Sequence, residues 1–297
     1  MIRKILHLPH IKIHNANALS SPFTIGLPAM TAWLGAMHAL QRKLNADNLQ
    51  TSFDSVAVIC HKIALQTHKG ANDFVYSIIG TGNPLDKNGK KPAFVEEARC
   101  HLDVSLLVEY RGIDKGKEDI FKKQIIHHLH ISMKIAGGDI LSFHEPALYR
   151  IEEGNDTDLR RLTRQLMPGY AIIERRELMI KAMEHGRDAI EALLEYLVIH
   201  HSCEKDEAGN VTWTSKRKTA GWIVPVATGF HGITELGQAK NQRDPNVHHR
   251  FAESIVTLGE FLMPHRINSL DEILWCYHTD LKNNLYLCQQ ISRNGLN

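Results

Sequence analysis

Nineteen histidines in a chain of 297 residues invite acid–base or metal chemistry, because imidazole titrates near neutrality and is the commonest metal ligand. The tightest groups are His127, His128 and His130 in HHLH, His200 with His201, and His248 with His249. On a helix His127 and His130 share a face, but they lie beside Ile126 and Leu129 with no carboxylate at ligand spacing. Neither H-E-x-x-H nor a Cys/His zinc pattern is present. His200 and His201 fall where a helix is expected to end, and there positive charge offsets the C-terminal dipole. The nucleophile elbow G-x-S-x-G and the phosphate loop G-x-x-x-x-G-K-S/T are absent. Glu96-Glu97 and Glu152-Glu153 read as surface carboxylates. No catalytic constellation is complete, so the expectation is a protein that is not an enzyme and needs no metal or cofactor.

Binding chemistry is better represented. Asn15, Asn17, Ser20, Ser21 and Gly26 lie in a small-residue loop too poor in apolar mass to bury itself, and such a loop offers amides and short side chains to a ligand. Lys87, Lys90 and Lys91 sit in the cluster DKNGKK, with Arg99 shortly after it, and Arg243, Arg250, His265 and Arg266 follow near the C-terminus. Cations supply sequence-independent affinity for phosphates, while amides and flat side chains sort unpaired bases. For the lysines a solvated turn is an equal alternative. Net charge is only +2 with histidines neutral, so a polyanion partner has to be held by local patches. Gly137-Gly138 reads as a helix C-cap, and equally resembles the glycine loop that lets RNA approach the backbone closely in a wider superfamily of RNA-binding proteins.

The elements that must position these residues follow from periodicity. Leu6, Leu8, Ile11 and Ile13 alternate as one face of a strand, and Trp33, Met37, Leu40 and Leu44 recur at helical steps. Residues 55–65 and 101–110 read as strands, 118–135 as an amphipathic helix ending at the glycine pair, and 140–149 as a returning strand. The interval 69–98 reads as a hairpin insertion with a basic tip. Strand, helix, strand, strand, helix, strand is the order of a ferredoxin-like α+β fold, the architecture of RNA-recognition domains. The expected organisation is a core over 1–150 carrying the 69–98 hairpin, a helical insertion over 151–220, and a segment over 221–297 that returns to the core. In that last segment 251–261 is predicted to be helical, with strands at 222–226, 273–277 and 285–287.

Hydrophobic content of 43% over 297 residues suffices for a substantial core. Five scattered cysteines without a C-x-x-C pair read as buried thiols in a reducing compartment. No apolar run reaches bilayer length and the first ten residues lack a signal-peptide pattern. A cytoplasmic protein without a membrane partner is expected.

Four blocks in family order carry a resemblance: NANALSSPFTIGLPAMTAWLGAMHALQRKL, GNPLDKNGKKPAFVEEARCHLDVSLLVEY, LMPGYAII, and GWIVPVATGF with RFAESIVTLGEFLMPHRIN. Together they resemble the subunit that, with the large subunit, forms the tail of the type I-F CRISPR surveillance (Csy) complex, within the Cas-five group of RNA-binding proteins. The stretches 151–162 and 205–215 match weakly. The resemblance implies a crRNA-binding subunit that grips the 5′ handle, pairs with the large subunit and abuts a backbone subunit, with target DNA close by. It implies that the 69–98 hairpin acts as a thumb over the guide RNA. It also raises a rival: related members of the superfamily cleave precursor RNA without metal, using a histidine base. Here a lone histidine would need a partner acid or lysine.

Overall fold

The computed structural model describes residues 2–80, 85–91, 97–205, 209–242 and 244–290. The chain opens with β1 (Ile2–Asn17), the short β2 (Leu19–Ser21) and β3 (Thr24–Ile25), α1 (Met30–Ala46), and β4 (Ser52–Leu65). The two-residue strands β5 (Thr67–His68) and β6 (Ser77–Ile78) precede β7 (Arg99–Arg111) and α2 (Glu118–Ile131). Next come β8 (Lys134–Ile135), β9 (Gly138–Ser142), β10 (Ala147–Glu152), α3 (Asp156–Gln165), β11 (Tyr170–Glu174), α4 (Arg176–Glu184) and α5 (Ala189–Leu197). The last third holds β12 (His200–Lys205), β13 (Val211–Lys216), β14 (Ile223–Gly232), β15 (Ala252–Leu262), β16 (Cys276–Asp280) and β17 (Leu285–Gln289).

The architecture is mixed α/β and dominated by one antiparallel sheet in the order β16-β17-β14-β15-β11-β4-β7-β1-β9-β8, with β10 also paired to β1. Leu6, Leu8, Ile11 and Ile13 of β1 pack with Val56 and Val58 of β4 and with Leu102, Val104, Leu106 and Val108 of β7. This face is closed by Trp33, Met37, Leu40 and Leu44 of α1 and by Phe121, Ile125 and Leu129 of α2. Trp33 is fully buried, and its indole Nε1 donates to the Pro28 carbonyl at 3.1 Å. Among the described residues the opposite face of the same strands is covered over one part only, where Ile5, Ala57, Ile59 and Leu107 meet Leu162 of α3, Leu166 and Ile267, Leu270 and Ile273. At that end Arg3, 6% exposed, joins Glu109 at 2.7 Å and Asp271 at 2.6 Å.

Several sequence expectations are corrected. Residues 252–262 form β15, not a helix, because the segment is hydrogen-bonded to β14 on one side and β11 on the other. Gly137-Gly138 does not cap a helix: α2 ends at Ile131, and Ala136 (φ 49°) and Gly137 (φ 74°) make the turn between β8 and β9. His200 and His201 lie in β12, paired to β13, rather than at a helix terminus. The stretch 151–220 supplies three helices but also β11, which enters the main sheet, and the β12–β13 ladder. Of the cysteines, Cys60, Cys100 and Cys288 are buried, and burial pushes the first two thiols up to about 11. Cys203 is exposed, because it lies in the β12–β13 ladder, whose strands lie outside the main sheet. No helix among the described residues is long and apolar enough to cross a membrane.

Candidate nucleic-acid interface

Strand alternation fixes what the uncovered part of the second face displays. With Ile11 and Ile13 turned into the core, Lys12 and His14 must point the other way, as must His101 and Asp103 beside Leu102 and Val104. Asp103 lies opposite Lys12 on one flank and Lys62 on the other in the strand register. Both lysines are exposed and form no ion pair among the described residues. His14 stacks on His101 with ring centroids 4.5 Å apart, and His10 stacks on His61 at 4.1 Å. His144 lies against His10 at 4.9 Å. The result is a row of flat, titratable rings flanked by cations, a surface suited to unpaired bases and phosphates.

Two β-bulges build the centre of this row. The register slips between Leu8 and Ile11 in β1 and between Cys60 and Lys62 in β4, and His10 takes a φ of 49°. Bulges re-aim side chains, and here they turn His10 and His61 toward Ser105 and Asp103 of the intervening β7. His61 Nδ1 donates to the Pro168 carbonyl at 2.5 Å, so its Nε2 accepts from the Ser105 hydroxyl at 2.6 Å. The Ser105 oxygen in turn accepts the His10 backbone N–H at 3.0 Å, and His10 Nδ1 meets Asp103 Oδ1 at 3.0 Å. His7, 3% exposed, has its Nε2 unpartnered among the described residues, and burial with the nearby rings of His61 and His10 lowers its pKa to about 4. Burial likewise lowers that of His61. A serine–histidine pair of this kind resembles an activated nucleophile, yet Ser105 is completely buried and cannot reach a substrate.

At the distal end of the row the structure brings together Asn15, Arg99, Gly137 and Gly138. Asn15 adopts a left-handed φ of 61°, which leaves its carbonyl facing Arg99 Nη1 at 3.5 Å. Its side-chain oxygen accepts from Gln66 at 3.0 Å, and its N–H donates to His101 at 3.2 Å. A Cβ on Gly138 would lie 2.7 Å from the Ile13 side chain and 2.8 Å from the His14 carbonyl, so only glycine admits this approach of β9 to β1. Arg99 pairs with Glu97, and its buried Nε has no partner among the described residues.

The other sequence-selected residues lie apart from this group. Asn17 is exposed and engages Leu19 through both ends of its amide, while the Ser20 and Ser21 hydroxyls are taken up by Thr24 at 2.8 and 2.7 Å. Gly26 donates its N–H to the Ala18 carbonyl at 2.9 Å, closing that loop. Lys87, Lys90 and Lys91 are exposed around a turn in which Asp86 accepts the Asn88 and Lys90 N–H groups. The flanks of that turn at 81–84 and 92–96, including the short apolar run 93–95, fall outside the described residues, as does Arg243. Arg250 is tied to Asn284 at 2.6 Å beside the end of β14, and His265 and Arg266 form a short turn after β15. His265 shares a groove of about 360 Å³ with Arg160 and Arg164, on the α3 side. In the HHLH motif, His128 bonds Asp47 at 2.7 Å, pinning α2 to the end of α1, and His130 packs on Phe143.

Sequence reasoning passed over His10, His61, His14, His101, Lys12 and Lys62. Their signal lay in the alternation itself: the polar positions between Leu6, Leu8, Ile11 and Ile13 are histidine and lysine, but the partners come from three separate strands.

The sequence profile of the family described as CRISPR-associated protein (Cas_Csy2) matches residues 6–288. The chain is also 34% identical to CRISPR-associated protein Csy2 of Pseudomonas aeruginosa (strain UCBPP-PA14), over 95% of this chain and 94% of that protein. By these two matches the chain belongs to the Csy2 family of CRISPR-associated proteins and is a subunit of the type I-F Csy complex.

Proposed function

We propose that this chain is a non-catalytic crRNA-binding subunit that holds the 5′ handle of the guide. On this reading it pairs with the large subunit, abuts a backbone subunit and lies close to target DNA. Base pairing by the guide would carry sequence choice while the protein supplies shape and backbone contacts. The supporting observation is the uncovered end of the sheet, where Lys12, Lys62 and the stacked imidazoles adjoin Asn15 and Arg99. The order β4-β7-β1-β9, with α1 and α2 on one face, supports a ferredoxin-like core whose other face is left open for RNA over its distal part. The lysine-bearing turn at 86–90 is the tip of the thumb in this account.

The test is binding of handle-containing RNA to the copurified heterodimer. Combined Asn15→Ala and Arg99→Ala substitution is expected to weaken binding about tenfold, as for the loss of one charge-assisted contact; unchanged affinity refutes the assignment. The pairing of His10 with Asp103, which would orient a histidine base, favours a second reading, a metal-independent endoribonuclease. Defined cleavage of precursor RNA by the wild-type chain in EDTA, lost in His10→Ala, would favour that reading.

A further inference from the structure

We propose that His10, His61 and Asp103 form a binding site for a divalent transition-metal ion of the zinc class. One ligand atom from each of these three residues lies within 4.8 Å of the others, before any ion draws them in. Two imidazole nitrogens and one carboxylate oxygen form a donor set that zinc accepts, with a fourth position left for water or another ligand.

The surroundings fit this use. His61 is oriented by donation from Nδ1 to the Pro168 carbonyl, the arrangement by which proteins fix the tautomer of a ligating histidine and leave Nε2 to the metal. A metal ion on Nε2 would take the place of the Ser105 hydroxyl that now bonds there, while Ser105 keeps the His10 N–H as a partner. His10 can present Nδ1 once its ring proton moves to Nε2, and Asp103 is held on the same strand pair by register. Independently of these three, the buried Nε2 of His7 has no hydrogen-bond partner among the described residues. None of the adjacent histidine pairs in the sequence contributes.

The experiment titrates the untagged full chain, copurified with its large-subunit partner, with Co²⁺ while visible absorption is recorded, followed by Zn²⁺. Saturable ligand-field bands that Zn²⁺ bleaches are expected. Asp103→Asn, nearly isosteric, should weaken Co²⁺ at least about tenfold, and His61→Ala should abolish the bands. The double substitution His200→Ala with His201→Ala, in an exposed ladder away from the cluster, should leave them unchanged. Absence of bands in the wild type overturns the proposal, as does their persistence in both Asp103→Asn and His61→Ala. Should His61→Ala not fold, His10→Ala is read in the same way. Handle-RNA binding is measured beside it in the presence of a chelator, so loss of one reading leaves the other standing on its own result.

Discussion

The two faces of β1, β4 and β7 are made by the same residues taken alternately, and they do opposite things. One is apolar from Leu6 to Ile13 and is sealed by α1 and α2. The other is sealed only where Ile5, Ala57, Ile59 and Leu107 meet α3 and the 267–274 segment, and beyond Ser105 it turns to imidazoles and lysines. The first face has no polar group to offer a ligand. The second spends no helix on its distal half, and its histidines are held by one another and by Ser105, Asp103 and Pro168 instead of by a covering layer. On the proposed reading, stability and recognition are thereby separated within single strands, which makes the comparison open to direct attack by mutation.

The largest effect is expected on the covered face. Trp33→Ala removes a fully buried ring and should cost about 3–5 kcal/mol in urea unfolding. Lys12→Ala, one layer away on the open face, should stay within about 0.5 kcal/mol. Comparable losses in the two would erase the distinction.

Next in size is acid sensitivity. His7 is held neutral with its pKa near 4 while the unfolded chain takes up a proton near 6.5. The folded state therefore binds fewer protons, its stability is complete above about pH 6.5, and it is lost as pH falls toward about 4. At about 1.4 kcal/mol per pH unit, roughly 2 kcal/mol should be gone by pH 5. Melting curves of His7→Leu should lack this dependence, apart from the smaller shift of His61 in the same direction.

Substitution of Lys12 and Lys62 by Glu should leave the melting temperature nearly unchanged while lowering the salt slope of RNA binding by about 1.4, two phosphate contacts at about 0.7 each. A slope equal to that of the wild type would mean that phosphates pass elsewhere. The smallest effect on RNA is expected from Ser20→Ala with Ser21→Ala, since both hydroxyls are already engaged by Thr24. A loss of about 1 kcal/mol in stability with unchanged RNA affinity is predicted.

The covered face was legible in the sequence because burial leaves a period. The spacing of Leu6, Leu8, Ile11 and Ile13, and of Trp33, Met37, Leu40 and Leu44, marks the strand and helix that meet in the core. Segment 252–262 misled because Ile255, Leu258 and Leu262 mimic helical spacing, while Ile255, Val256 and Thr257 are β-branched and the flanking strands decide the outcome. Gly137-Gly138 followed a helical pattern, and only the approach of β9 to β1 reveals why glycine is needed there. The imidazole row left no linear motif, since His10, His61 and Asp103 converge through bulges on two strands and the register of a third. Asn15 and Arg99 were both selected by residue type, but their neighbourhood follows from that same pairing.

The most direct measurement places photoreactive uridines in the handle of a crRNA assembled into the complex and maps the crosslinked peptides. Attachment to peptides bearing Lys12, His14, Asn15 or Arg99 is predicted. A handle that crosslinks only to other subunits, or only to the α1–α2 side of this chain, would contradict the account.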